Sequence, residues 1–67
     1  MYDLPIGSLW RSRRDAANMR IIVSISPARG YGDNVQFIEY YSPVHGRSMI
    51  TVSSPSEWLS HFQLLDA

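Results

Sequence analysis

The chain has 67 residues, 45% hydrophobic and 18% charged, which allows one small domain, residues 1–67, and fits a folded globule better than a disordered tail. It contains no cysteine and no lysine, which excludes a disulfide framework, thiol catalysis, Cys-ligated zinc, iron–sulfur clusters and Schiff-base chemistry. Six arginines balance six carboxylates, so no net field draws the chain to nucleic acid or an anionic membrane. The balance is uneven: residues 1–33 carry five Arg against three Asp, whereas residues 34–67 carry Arg47 against Glu39, Glu57 and Asp66. No apolar run exceeds Ile21-Ile22-Val23, far short of a bilayer span. Met1-Tyr2-Asp3-Leu4-Pro5 has an acid and a proline where a signal peptide needs a basic start and an apolar stretch. The expected location is the cytoplasm, with no membrane partner.

In chain order, residues 2–7 read as an extended lead-in, because Leu4 precedes a proline. Gly7 allows a sharp entry into a short strand, 8–12, in which Trp10 alternates away from Leu9 and Arg11. Arg13 to Asn18 form a loop. Residues 19–26 are the clearest strand, with Ile21, Val23 and Ile25 on one face and Arg20, Ile22, Ser24 and Ser26 on the other. A turn rich in Gly, Asp and Asn leads to a third strand, 35–41, stopped at Ser42-Pro43. Val44-His45-Gly46 turns the chain into a fourth strand, 47–53, which completes a meander. Ser54-Pro55-Ser56-Glu57 then combines an N-cap, a proline suited to the first helical position and a capping-box carboxylate. Residues 58–65 fit two continuations. Trp58, Leu59, Phe62 and Leu65 share a helical stripe, whereas a helix of one or two turns would leave Phe62 to Leu65 as a fifth strand with Phe62 and Leu64 pointing inward.

The run Gly-x-Leu-Trp-Arg at residue 7, the meander, Ser-x-x-Glu-Trp from Ser54 and Phe-x-Leu-Leu from Phe62 resemble the small SH3-like barrels common among phage and prophage proteins. The resemblance covers Gly7 to Leu65. It implies a mainly β fold, a small SH3-like barrel of 4–5 strands with a short helical turn before the C-terminal segment, and hence the strand reading of residues 62–65. It supplies no catalytic residues. It also implies a phage or mobile-element protein that modulates a host or defence complex in the host cytoplasm.

Few residues point to chemistry. His45 and His61 lack a second ligand at metal-binding spacing, and the ten serines include no Gly-x-Ser-x-Gly elbow. A domain of this length has little room for the roughly 300 Å³ of a water-excluded pocket. The chain is therefore expected to be no enzyme and to carry neither metal nor cofactor. Gly30-Tyr31-Gly32-Asp33 resembles a phosphate cradle only superficially: a strand comes after it, so the glycines serve a hairpin loop. Arg11, Arg13 and Arg14 beside Trp10, with Arg20 and Arg29 in reach, form the strongest cationic cluster, and a nucleic-acid-binding barrel is the alternative function.

The leading expectation concerns the meander. Strict alternation puts Ile21, Val23, Ile25, Val35, Phe37, Ile50 and Val52 in the core, with Trp10 and Phe62. That leaves Ile22, Ile38, Tyr40 and Met49 as an apolar stripe on the other face. Either the stripe is a docking surface for a protein partner or a homodimer, or the terminal segment with Trp58 and Leu59 folds over it as a second core wall. The expected function is a non-catalytic protein–protein binding module.

Overall fold

The computed structural model describes residues 4–28, 30–32 and 34–66. The fold is mainly β, with five antiparallel strands in one open sheet and a single short helix near the C-terminus. The strands are β1 (Leu9–Ser12), β2 (Met19–Pro27), β3 (Gln36–Ser42), β4 (Arg47–Ser53) and β5 (Phe62–Asp66), and α1 spans Pro55–His61. The order across the sheet is β4-β3-β2-β1-β5. The sheet does not close on itself: β4 and β5 are its two edges.

Local chemistry explains the element boundaries. Gly7 takes a positive φ of 83°, and its N–H donates to the Ile22 carbonyl at 2.7 Å, which sets the lead-in against β2. Gly46 at φ 67° closes the β3–β4 turn with an N–H bond to the Ser42 carbonyl, also 2.7 Å. Ser54 caps α1 by accepting from the Glu57 N–H at 3.1 Å, and Pro55 occupies the first turn. At the other end the Phe62 N–H satisfies the Trp58 carbonyl as the backbone turns extended. Residues 62–66 then pair with β1, so the helix ends after two turns and the strand reading of the terminal segment holds.

The core comprises Leu4, Trp10, Ile22, Ile38, Tyr40, Trp58 and Phe62, with Ile25, Met49 and Leu59 packed against it. Trp58 is its hub. Its ring stacks on Phe62 at 4.5 Å, meets Trp10 edge-on at 6.0 Å and tilts against Tyr40 at 6.1 Å. Because β4 lies at one edge and β5 at the other, the chain between them must cross the sheet, and α1 lays Trp58 over Ile22, Ile38 and Tyr40.

This corrects the face assignment. Ile22, Ile38 and Tyr40 are buried and Met49 packs against them, so these four form the inner wall and no docking stripe. Val23, Ile50 and Val52 are exposed instead, and Ile21, Val35 and Phe37 are half-buried. One cause is a β-bulge. Ile22 faces Tyr40, yet Ser24 faces Glu39 and Ile25 faces Ile38, so Val23 is the extra residue. The bulge flips the alternation and brings Ile22 and Ile25 to the same side. Leu64, opposite Trp10, is also exposed, because it lies at the β5 edge outside the core cluster.

Candidate functional site

The outer face of β2, β3 and β4 mixes apolar and polar side chains, and Val23, Tyr41, Ile50 and Val52 on it are open to solvent. Its rows run along the pairing register: Leu9, Ile21, Tyr41 and Ser48 in one, Ser24, Glu39 and Ile50 in the next, Ser26, Phe37 and Val52 in the third. Tyr31, from the β2–β3 loop, stands edge-on to Phe37 at 5.8 Å and extends the face past the last row. Ile50 is 66% exposed, and Val23, Tyr41 and Val52 are exposed beside it. Four polar residues interrupt the rows: Ser24, Ser26, Ser48 and Glu39, whose Oε1 accepts a hydrogen bond from the Ser24 hydroxyl at 2.9 Å.

Beside this face runs the free edge of β4. No strand of the described residues pairs with its outer side. Soluble proteins shield such edges with lysines, prolines, bulges or inward charges. Arg47 to Ser53 has no Lys and no Pro, pairs with β3 without a register shift, and carries one charge, Arg47, at its first position. Its centre, Met49-Ile50-Thr51-Val52, has high β propensity.

Three strands about 4.8 Å apart, paired over the seven residues of β3 and β4, outline a face of roughly 330 Å². Even taken whole, with its serines and Glu39, the face is no larger than the largest apolar patch of a typical monomer. It falls short of the about 800 Å² per partner of a standard stable interface. Side-chain contact alone is therefore insufficient, and main-chain pairing along β4 is the available supplement.

The arginine cluster is dispersed. Arg13 is tied to the end of α1: its Nε donates to the Leu59 carbonyl at 3.2 Å and its backbone N–H to the His61 carbonyl at 2.9 Å. A cation on helix C-terminal carbonyls is a cap. Arg11 alternates to the outer side of β1, opposite Met19 and Gln63, whereas Arg14 is exposed in the loop. Arg20 lies on the inner side. Its guanidinium sits 4.0 Å from the Tyr40 ring centroid, 4.4 Å from that of Phe62 and 5.6 Å from that of Trp58. Burial lowers its pKa, with Tyr40 acting in the opposite direction. Alternation within β1 and β2 sends Arg11 and Arg20 to opposite faces, so these two do not share a surface. Arg29 and Asp33, read with the cluster and the glycine loop, lie outside the described residues.

His45 is exposed in the β3–β4 turn, its Nδ1 2.9 Å from the buried Ser42 hydroxyl, and His61 is exposed at the end of α1. Among the described residues no three His, Asp or Glu side chains gather as metal ligands. No helix there is long and apolar enough to cross a membrane.

No protein-family model, curated protein or solved structure matches the chain.

Proposed function

We propose that this chain is a non-catalytic protein-binding module that takes up an extended segment of a partner protein along the free edge of β4. The observation that carries this is the conjunction of an unshielded edge strand with exposed Ile50 and Val52 next to it. An added strand gains main-chain hydrogen bonds to β4. Its alternate side chains continue the outer rows and cover Ile50 and Val52, and from there reach toward Phe37. The resemblance to phage-type SH3-like barrels extends the proposal to a mobile-element protein whose partner is a component of a host complex in the host cytoplasm. Nucleic acid ranks lower, because Arg13 is engaged at α1 and Arg20 is packed among aromatic rings.

Selection from a random peptide display library on the immobilised protein tests this. Enriched peptides should carry apolar residues at every second position over about five residues, the period of a strand. N-methylation of their pairing amides should abolish binding, and Ile50→Asp should remove it without unfolding the chain. Peptides that bind Ile50→Asp equally well would refute the site. A concentration-dependent dimer in light scattering, broken by Ile50→Asp, would replace the partner with a second copy.

A further inference from the structure

A second feature lies on the other side of the sheet and is independent of the β4 edge. The β1–β2 loop and the β3–β4 turn flank a cleft of about 200 Å³ lined by Asp15, Ala17, Asn18, Arg20, Val44, His45 and Met49. Arg20 is its one cation with a partly buried head. Buried charges in proteins are paired, since desolvation without a counter-charge is unfavourable. Here the guanidinium is flanked by the rings of Tyr40 and Phe62, and its Nε is closed off from solvent with no acceptor among the described residues, while Arg20 as a whole is half-buried and lines the cleft. Aromatic faces offset part of the cost. They do not accept the planar hydrogen bonds that a guanidinium fork makes.

We propose that this cleft binds a carboxylate bearing a short apolar group, with Arg20 as its anchor. A planar carboxylate matches the guanidinium fork. The apolar group fits against Val44, Met49 and Ala17, and Asn18 and His45 supply polar contacts at the rim. The bond between His45 Nδ1 and the Ser42 hydroxyl holds the imidazole and leaves Nε2 for a ligand. Two features set the ligand's size and charge. The cleft is smaller than the roughly 300 Å³ and above of drug-sized sites, so the ligand is small. Asp15 on the rim keeps its place by accepting from the Ala17 N–H at 3.1 Å, and its negative charge disfavours a phosphate dianion relative to a carboxylate monoanion. The carboxylate can come from a free short-chain acid or from the C-terminus of a polypeptide.

Proton–nitrogen NMR titration of the full chain decides this, because the Arg20 Nε–H is itself an observable probe. 3-Methylbutanoate and N-acetylglycylvaline, a C-terminal mimic, are each titrated against the neutral 3-methylbutanamide and against inorganic phosphate. The expected result is a saturable shift at Arg20 Nε–H and at the Asn18 and His45 amides with a carboxylate, and none with the amide. Tighter binding of the acetylated dipeptide assigns the site to a polypeptide terminus, and tighter binding of the free acid assigns it to a metabolite-sized ligand. Arg20→Met should abolish the shifts at the Asn18 and His45 amides. Asp15→Asn, which keeps its oxygen acceptor for Ala17, should tighten binding about two- to fivefold, the range of an exposed charge interaction. Equal shifts with the neutral amide or with phosphate, or their persistence in Arg20→Met, would overturn the proposal. Should Arg20→Met fail to fold, Asp15→Asn decides, and unchanged affinity there overturns it.

Discussion

The two faces of the meander make opposite demands on stability, and paired truncations expose the difference. Ile38 is fully buried against Ile22, Tyr40 and Trp58, whereas Ile50 is 66% exposed one strand away. Ile38→Ala removes three carbons, which at about 0.8 kcal/mol per methylene is about 2.4 kcal/mol of transfer free energy. The cavity left among large aromatic neighbours raises the loss toward the about 2–5 kcal/mol of buried Ile→Ala changes. A domain of this size has roughly 3–10 kcal/mol in total, so the variant should be close to unfolding. Ile50→Ala should change stability by no more than about 0.5 kcal/mol. Urea titration followed by tryptophan fluorescence is the assay, since Trp10 and Trp58 are both buried and report core opening. With a slope of about 1 kcal/mol/M, a loss of 3 kcal/mol moves the midpoint by about 3 M. An Ile50→Ala loss above about 2 kcal/mol, with Ile38→Ala within about 0.5 kcal/mol of wild type, would refute the face assignment.

Four further outcomes rest on the same geometry. Ser8 accepts the Trp10 indole N–H at 2.6 Å and donates its own hydroxyl to the Pro5 carbonyl, so Ser8→Ala should cost about 1–3 kcal/mol by orphaning a buried donor, measured by thermal melting. Arg13→Ala should cost about 0.5–1 kcal/mol through lost capping of α1, with Arg13→Lys recovering part of it, both read from urea midpoints. The Arg13→Ala, Arg14→Ala double variant should leave DNA and RNA binding weak and unchanged, and sub-micromolar, salt-sensitive binding by wild type would restore the nucleic-acid alternative. Arg20, finally, has a pKa lowered by desolvation, so the unfolded chain binds its proton more tightly. That cost is present at every pH below the folded pKa, neutral pH included, and is relieved only as pH rises through it in the alkaline range. Arg20→Met should therefore leave the melting temperature at neutral pH unchanged or raise it, and a large fall would show that the aromatic contacts outweigh the desolvation.

The elements themselves were legible in the residues. Period-2 apolar patterning located the three meander strands to within a residue, and Ser54-Pro55-Ser56-Glu57 placed the start of α1, because caps and turns are decided by neighbours a few positions apart. The resemblance chose the strand over the longer helix for residues 62–65, where four residues of periodicity could not. Which face of the sheet is the core was not legible. Both faces of β2 and β3 are apolar, and alternation is symmetric between them. Two non-local facts broke that symmetry. The bulge at Val23 brings Ile22 and Ile25 to one side, and the crossing of α1 from the β4 edge to the β5 edge drops Trp58 and Phe62 onto that side. The candidate sites inherit the same division. Arg20 reads as one more basic residue until β3 and β5 bring Tyr40 and Phe62 against it. Ile50 reads as core until no element of the described chain covers it. Sequence alone determined where the chain extends and turns, because those choices are local. The tertiary structure decided what is inside, because burial depends on which distant segment comes to lie on top.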